Sequence, residues 1–181
     1  MIPSDWTAVL MTIRQHAPEA FLAGGALRDL DNGKVIKDLD VFLSADADMD
    51  AIMFAMLDHG YATVGTDLSL SEEYGSLGVG VTGILELLNI DSGKPPLNFI
   101  RVEEPTVTGQ INRFDFGICQ IAYDGERVMK TPAYLLDKAS KTFTITRHDD
   151  GIDRALRRWE RLRQKYVNWQ LVNPEGEMFD V

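Results

Sequence analysis

A chain of 181 residues, 45% apolar by count, is long enough to bury one real core and leaves room for one appended element. Its net charge of −10 at pH 7 weighs against an RNA-binding enzyme, because a polyanionic partner is repelled by most of such a surface. The single cysteine, Cys119, excludes an internal disulfide and fits a reducing compartment, and its expected role is that of a small buried hydrophobe on a strand. Met1 to Asp5 lacks a basic leader and no apolar run approaches the ~20 residues that span a bilayer, so a cytoplasmic protein with no membrane partner is expected. His16, His59 and His148 are scattered, which argues against structural zinc.

In chain order, Ser4 is placed to cap a first helix carrying Trp6, Val9, Leu10 and Ile13 and ending before Pro18. Ala20 to Ala23 reads as an apolar strand that breaks at Gly24-Gly25 into a helical pattern stopping near Asn32-Gly33. Two glycines let a phosphate approach the backbone, helix N-terminal amides favour an anion there, and Arg28 lies one turn further in. Twelve residues beyond Gly25 comes Asp38-Leu39-Asp40, inside the apolar run Leu39 to Leu43. Side chains two apart on a strand face the same way, so Asp38 and Asp40 share a face. Two adjacent carboxylates in so apolar a run call for cations, and Mg²⁺, with Mn²⁺ as an alternative, suits carboxylates that also face phosphates. A two-metal site of this kind stabilises both oxygens of an in-line phosphoryl displacement. Lys34 and Lys37 stand nearby and are expected on the surface.

A helix begins after Asp46 to Asp48, holds Ile52, Met53, Met56 and Leu57, with the methionines as core filler, and ends at Gly60. Residues 80–90 and 97–102 read as a hairpin, as do Cys119 to Tyr123 and Arg127 to Met129 around Asp124-Gly125. The string Gly78 to Gly83 matches the dinucleotide fingerprint, but Val81 to Ile90 reads as a strand where the fingerprint needs a helix, so no dinucleotide cofactor is expected. Thr131-Pro132 opens a short helix through Leu136, with threonine as cap. Residues 147–165 carry seven basic against four acidic residues, in a helix whose Ile152, Leu156, Trp159 and Leu162 form one packed stripe. Arg154, Arg157 and Arg158 are its candidate acceptor contacts, and residues 173–177 look loose. The pattern predicts an α/β (α+β) fold, a small mixed or antiparallel sheet flanked by helices, spanning residues 1–146, with a C-terminal helical extension and tail over 147–181.

Four segments resemble the DNA polymerase beta-like nucleotidyltransferases, and within them the head domain of bacterial poly(A) polymerases and CCA-adding enzymes. They are Gly24-Gly25-Ala26-Leu27-Arg28-Asp29, Lys37-Asp38-Leu39-Asp40, Arg113-Phe114-Asp115-Phe116-Gly117-Ile118-Cys119-Gln120 and Asp153-Arg154-Ala155-Leu156-Arg157-Arg158. The resemblance covers about residues 20–163 and is closest to the small stand-alone proteins of this type known mostly from bacteriophages. It implies transfer of a nucleoside monophosphate from a nucleoside triphosphate to an acceptor hydroxyl, an RNA end in the first instance, with release of pyrophosphate. It implies Asp38 and Asp40 as metal-binding catalytic residues, and Gly24, Gly25, Arg28, Asp29, Arg113 and Asp115 as nucleotide contacts. Two departures stand out. Asn98, in Leu97 to Val102, occupies the place of the family's third carboxylate and would be a neutral metal ligand, with Glu86 and Asp115 as substitutes. Phe114 stands where the family has an arginine. Both departures keep open an alternative, a catalytically weakened protein that acts by binding a nucleotide or a macromolecule.

Overall fold

The computed structural model describes residues 1–67, 80–90, 93–146, 152–175 and 177–178. Helix α1 (Ser4–Arg14) turns Trp6, Val9, Leu10 and Ile13 inward. Its N-cap is Pro3, not Ser4, and no side chain caps it; Ser4 is already the first helical residue. Strand β1 (Phe21–Ala23) leads through Gly24 into α2 (Gly25–Asp31), and β2 (Leu39–Ser44) begins one residue after Asp38. Asp48 caps α3 (Met49–Met56) by accepting from the Ala51 amide, and a single tighter turn, Leu57–His59, brings the chain to left-handed Gly60.

Strand β3 (Tyr61–Asp67), which the sequence pattern does not announce, pairs with β4 (Val81–Asn89). Strand β4 pairs with β5 (Leu97–Val102) as the expected hairpin. The glycine string therefore runs into a strand at Val81, while Gly78 and Val79 lie outside the described residues. A short helix α4 (Val107–Ile111) precedes a turn at Gly117–Cys119, which takes Cys119 off the strand where it was expected. Strands β6 (Ile121–Tyr123) and β7 (Val128–Lys130) form the second hairpin. Helix α5 (Pro132–Ser140), capped by Thr131, runs four residues past Leu136 to a left-handed Lys141. Strands β8 (Thr142–Thr144) and β9 (Gln170–Val172) pair in parallel around α6 (Ile152–Lys165). Arg147, Asp149 and Asp150 of the basic segment lie outside the described residues.

The seven-stranded sheet has the order β3-β4-β5-β2-β1-β6-β7 and is antiparallel except where β2 meets β5. Alternation along the strands sends Leu39, Val41 and Leu43 to one face and Asp40 and Phe42 to the other. The first face packs with α1, α3 and the aromatic residues of the C-terminal segment, Phe143, Trp159 and Tyr166, in the main core. The second carries a smaller cluster of Phe21, Phe42, Ile84, Ile100 and Ile111, covered at one end by Phe114. The candidate site lies beyond the edge of that smaller cluster.

Asp31 fastens α2 to α5 and β7. Its carboxylate accepts from Lys130 at 2.9 Å, Tyr134 at 2.6 Å and Lys138 at 2.5 Å, and these three donors outweigh partial burial and hold its pKa well below the usual carboxylate range.

Candidate active site

Register brings the two halves of the sequence pattern together. In the antiparallel β1–β2 pair Phe21 faces Phe42 and Leu22 faces Val41, so continuing the same register sets Ala23 level with Asp40 and the Gly24-Gly25 turn beside Asp38. At Gly24 the backbone has φ 83° and ψ −128°, a region that side chains larger than hydrogen rarely enter. The Gly24 amide donates to the Ile121 carbonyl at 2.9 Å, and the Gly24 carbonyl accepts from the Arg28 amide at 3.0 Å. A Cβ at Gly24 would come within 3.5 Å of the Phe114 ring. Gly24→Ala is therefore expected to cost about 1–3 kcal/mol, read as a lowered thermal midpoint; a midpoint equal to wild type would mean that the turn adapts.

Asp38 and Asp40 differ in setting. Asp38 is partly exposed and lies 3.6 Å from the Nζ of Lys37. Burial, together with the Asp38 charge alongside it, pushes the Asp40 carboxyl up to about 6. The Asn98 amide and the positive charges of Arg158 and Lys37 pull the other way without cancelling the shift. Asn98 is Asp40's direct neighbour in the parallel β2–β5 register, and its Nδ2 donates to Asp40 Oδ1 at 3.1 Å. Asn98 is 1% exposed, and its Oδ1 has no hydrogen-bond partner among the described residues.

An unbonded buried oxygen next to two carboxylates is a hard oxygen donor set of the kind that suits Mg²⁺. No group of three or more His, Cys, Asp and Glu residues among the described residues could hold a metal.

The remaining sequence candidates divide into two groups. Arg28 and Asp29 are 4% and 3% exposed and bond to each other at 2.8 Å. The Arg28 guanidinium also donates to Cys119 Sγ at 3.1 Å and Tyr166 Oη at 3.3 Å, and it lies over the rings of Phe143 and Tyr166. Asp29 accepts from Tyr166 Oη at 2.7 Å and Lys165 Nζ at 2.6 Å. Both side chains are thus occupied with one another and with the end of α6, and Arg28 Nη2 also lies 3.7 Å from where a Cβ at Gly25 would stand. Cys119 is buried as expected, with an arginine donor that its sequence context does not reveal.

Asp115 is 4% exposed and accepts from Arg158 at 2.7 Å, with Arg154 Nε at 3.9 Å. Arg154 and Arg158, one turn apart, face inward to this carboxylate, whereas Arg157 is exposed. Arg158 also stands close enough to Asp40 to lower its pKa, so α6 supplies positive charge to the rim of the carboxylate pair. Arg113 is exposed and lies over Gly80 at the start of β4. Phe114 closes over Gly24 and meets the Phe42 ring at 5.8 Å, forming an apolar wall where the family resemblance leads one to expect a guanidinium.

Residues 4–141 match the model of Gad2, the Gabija anti-defense 2 family. The chain belongs to that family. Among solved structures, this Gad2-family chain is similar to a tRNA-processing enzyme in its apo form I, at 20% identity and a TM-score of 0.64, over 94% of this chain and 45% of the other. It is similar to the CCA-adding enzyme of Bacillus stearothermophilus in complex with CTP, at 17% identity and 0.56, over 91% and 39%. It is also similar to the Thermotoga maritima CCA-adding enzyme complexed with tRNA, at 16% identity and 0.60, over 94% and 40%. No curated protein matches it. The Gad2-family chain spans less than half the length of these structures, and at such identities the likeness shows the fold: it is nucleotidyltransferase-like.

Proposed function

We infer that this Gad2-family protein is a metal-dependent nucleotidyltransferase, moving a nucleoside monophosphate from a nucleoside triphosphate to an acceptor hydroxyl with release of pyrophosphate. The observation that carries this reading is the pairing of Asp40 with Asn98 beside Asp38, on the sheet face that the smaller core leaves uncovered and level with the Gly24 turn. A divalent cation, Mg²⁺ or Mn²⁺, would be held by Asp38, Asp40 and the free oxygen of Asn98. When bound it supplies charge stabilisation for the phosphoryl oxygens.

The protein's own contribution is positioning. Asn98 Nδ2 fixes one oxygen of Asp40 and leaves the other carboxylate atoms to the ligand. Gly24 presents backbone without a side chain to the phosphates, with Phe114 shielding that turn from water. Arg158 offsets the negative charge of the carboxylates from the rim. With Arg28 and Asp29 committed internally, their part in binding the nucleotide is to hold α2, and so the turn, in place. Arg113 and Arg157, both exposed, are the outward-facing cations for a nucleotide or for an RNA end as acceptor. The family's description supports a role for this chemistry in the antagonism of a defence system, and the resemblance to stand-alone bacteriophage proteins supports action in the host cytoplasm.

The neutral Asn98 in the third acidic position and the anti-defense description favour a second reading, a protein of this fold that acts by binding a nucleotide or a macromolecular partner without transfer. Calorimetric titration with each of the four ribonucleoside triphosphates, with and without Mg²⁺, tests the nucleotide site, and release of pyrophosphate from the triphosphate that binds separates transfer from binding alone. Metal-dependent binding that disappears in Asp38→Ala/Asp40→Ala is expected. No binding of any of the four would move the assignment to a protein of this fold that acts by binding a macromolecular partner.

A further inference from the structure

Between Lys37 and Lys94 the chain has no lysine or arginine and eleven aspartates and glutamates, more negative charge than the net −10 of the whole. The acidity of this protein is therefore local, and the remainder is close to neutral. Helix α3 and the tighter turn that follows it lie within that stretch.

The inward side of α3 is spent on the main core, where Ile52 and Met56 are fully buried with Leu39, Val41 and Leu43 of the sheet. Its outward side is not polar throughout, as a solvated helix face would be. Phe54 is 77% exposed and Leu57, three residues on, is 51% exposed. Residues three and four apart on a helix share a face, so Asp50 and Asp58, each four from Phe54 and both exposed, stand in line with it. Ile90, 67% exposed, adjoins the far end, its amide donating to the Gly60 carbonyl at 2.7 Å. Asp46 and Asp48 lie exposed at the near end. None of these four aspartates takes part in an ion pair among the described residues. Lys94, which reaches the His59 carbonyl at 3.5 Å, stands at the margin. An aromatic side chain left in water among unmatched like charges has the composition of a binding surface, with a central apolar anchor and a charged surround.

We propose that this outward face of α3 docks a basic surface of another protein, with Phe54 as its apolar anchor and the aspartates around it selecting positive charge. Charge complementarity decides the occupant. Nucleic acid and an anionic membrane surface are repelled by these carboxylates. A second copy joined by a twofold axis would set the same aspartates against each other. A head-to-tail copy would have to offer α6, but Arg154 and Arg158 turn inward to Asp115, and the exposed side of that helix also carries Asp153 and Glu160. Helix α3 packs on the sheet face opposite to Asp40, so a partner seated on its outward side leaves the candidate active site open. The proposal is independent of transfer at Asp38 and Asp40.

The family description names the Gabija defence system, so the purified proteins of that system are the probes. Their binding to the full chain is measured at several salt concentrations in wild type, Phe54→Ala and Asp58→Lys, with a melting curve for each variant and sedimentation of the chain alone. One of the probes is expected to bind wild type, and less tightly as salt rises. Phe54→Ala is expected to lose at least about tenfold in affinity, chiefly through faster dissociation, and Asp58→Lys to slow association. Both variants are expected to keep the wild-type melting midpoint, because both side chains are exposed. No binding by any probe, or binding that Phe54→Ala or Asp58→Lys leaves unchanged, would overturn the proposal. Self-association of wild type that Phe54→Ala abolishes would give the face to a second copy and overturn it as well.

Discussion

Asp40→Asn is expected to abolish nucleotidyl transfer and to make the metal-free protein more stable at neutral pH. The two effects share one cause. Burial and the neighbouring Asp38 raise the Asp40 pKa to about 6, which means that the folded protein holds its ionised form at a cost. The shift from the ordinary aspartate value of 3.8 corresponds to about 2–3 kcal/mol of destabilisation at pH 7. Because the folded-state pKa lies above the unfolded one, wild type loses this stability as pH rises between about 4 and 6 and gains none back above it. Asparagine accepts the Asn98 hydrogen bond without carrying a charge, so the variant escapes the cost at pH 7 and its advantage vanishes below about pH 4. Thermal midpoints of both proteins across that range, in the presence of a chelator, check the stability claim. A variant less stable than wild type at pH 7 would show that Asp40 is not strained, and an active variant would sink its assignment as a metal ligand.

Asp29→Ala is expected to destabilise the protein by about 3–5 kcal/mol, the usual consequence of leaving a buried charge without its partner. Removing this carboxylate strands the Arg28 guanidinium, 4% exposed among Phe143, Tyr166 and Cys119, and releases Lys165 at the end of α6. Chemical denaturation should show a lower midpoint, and protease digestion should cut the α6 region sooner. Were Asp29 instead a nucleotide contact on the surface of the turn, the variant would keep its stability and lose only affinity for the triphosphate. The two readings therefore differ in which measurement moves.

The sequence motifs and the structure agree most closely where the residue pattern is local. The Gly24 turn, the Asp38 and Asp40 spacing, both hairpins and the threonine-capped α5 arise from backbone preferences that a few neighbouring residues decide. The partners of Arg28 and Asp29 lie 91 to 138 residues away, so nothing in their own segment shows that they turn inward. Arg154 and Arg158 form part of a basic stripe in sequence, and only the burial of Asp115 opposite them reveals that they face the core. Ser4 is a good cap by composition, but the backbone enters the helix one residue earlier, at Pro3. Glu86 sits in an apolar run with no motif around it. Its pairing with Asn98, and through Asn98 its alignment with Asp40, depends on two strand registers, one parallel and one antiparallel, and register is a property of the assembled sheet.

The bond from Lys165 to Asp29 joins residues 136 apart in the chain. At ribosomal speeds of about 5–20 residues per second, the glycine turn emerges on the order of ten seconds before the groups that fasten the helix behind it. Through that interval Arg28 and Asp29 lack their partners on and after α6, although Cys119 and the Ile121 carbonyl that accepts from Gly24 arrive earlier. The helix behind the glycine turn is thereby fully fastened only once synthesis has passed Tyr166, long after the motif itself has appeared.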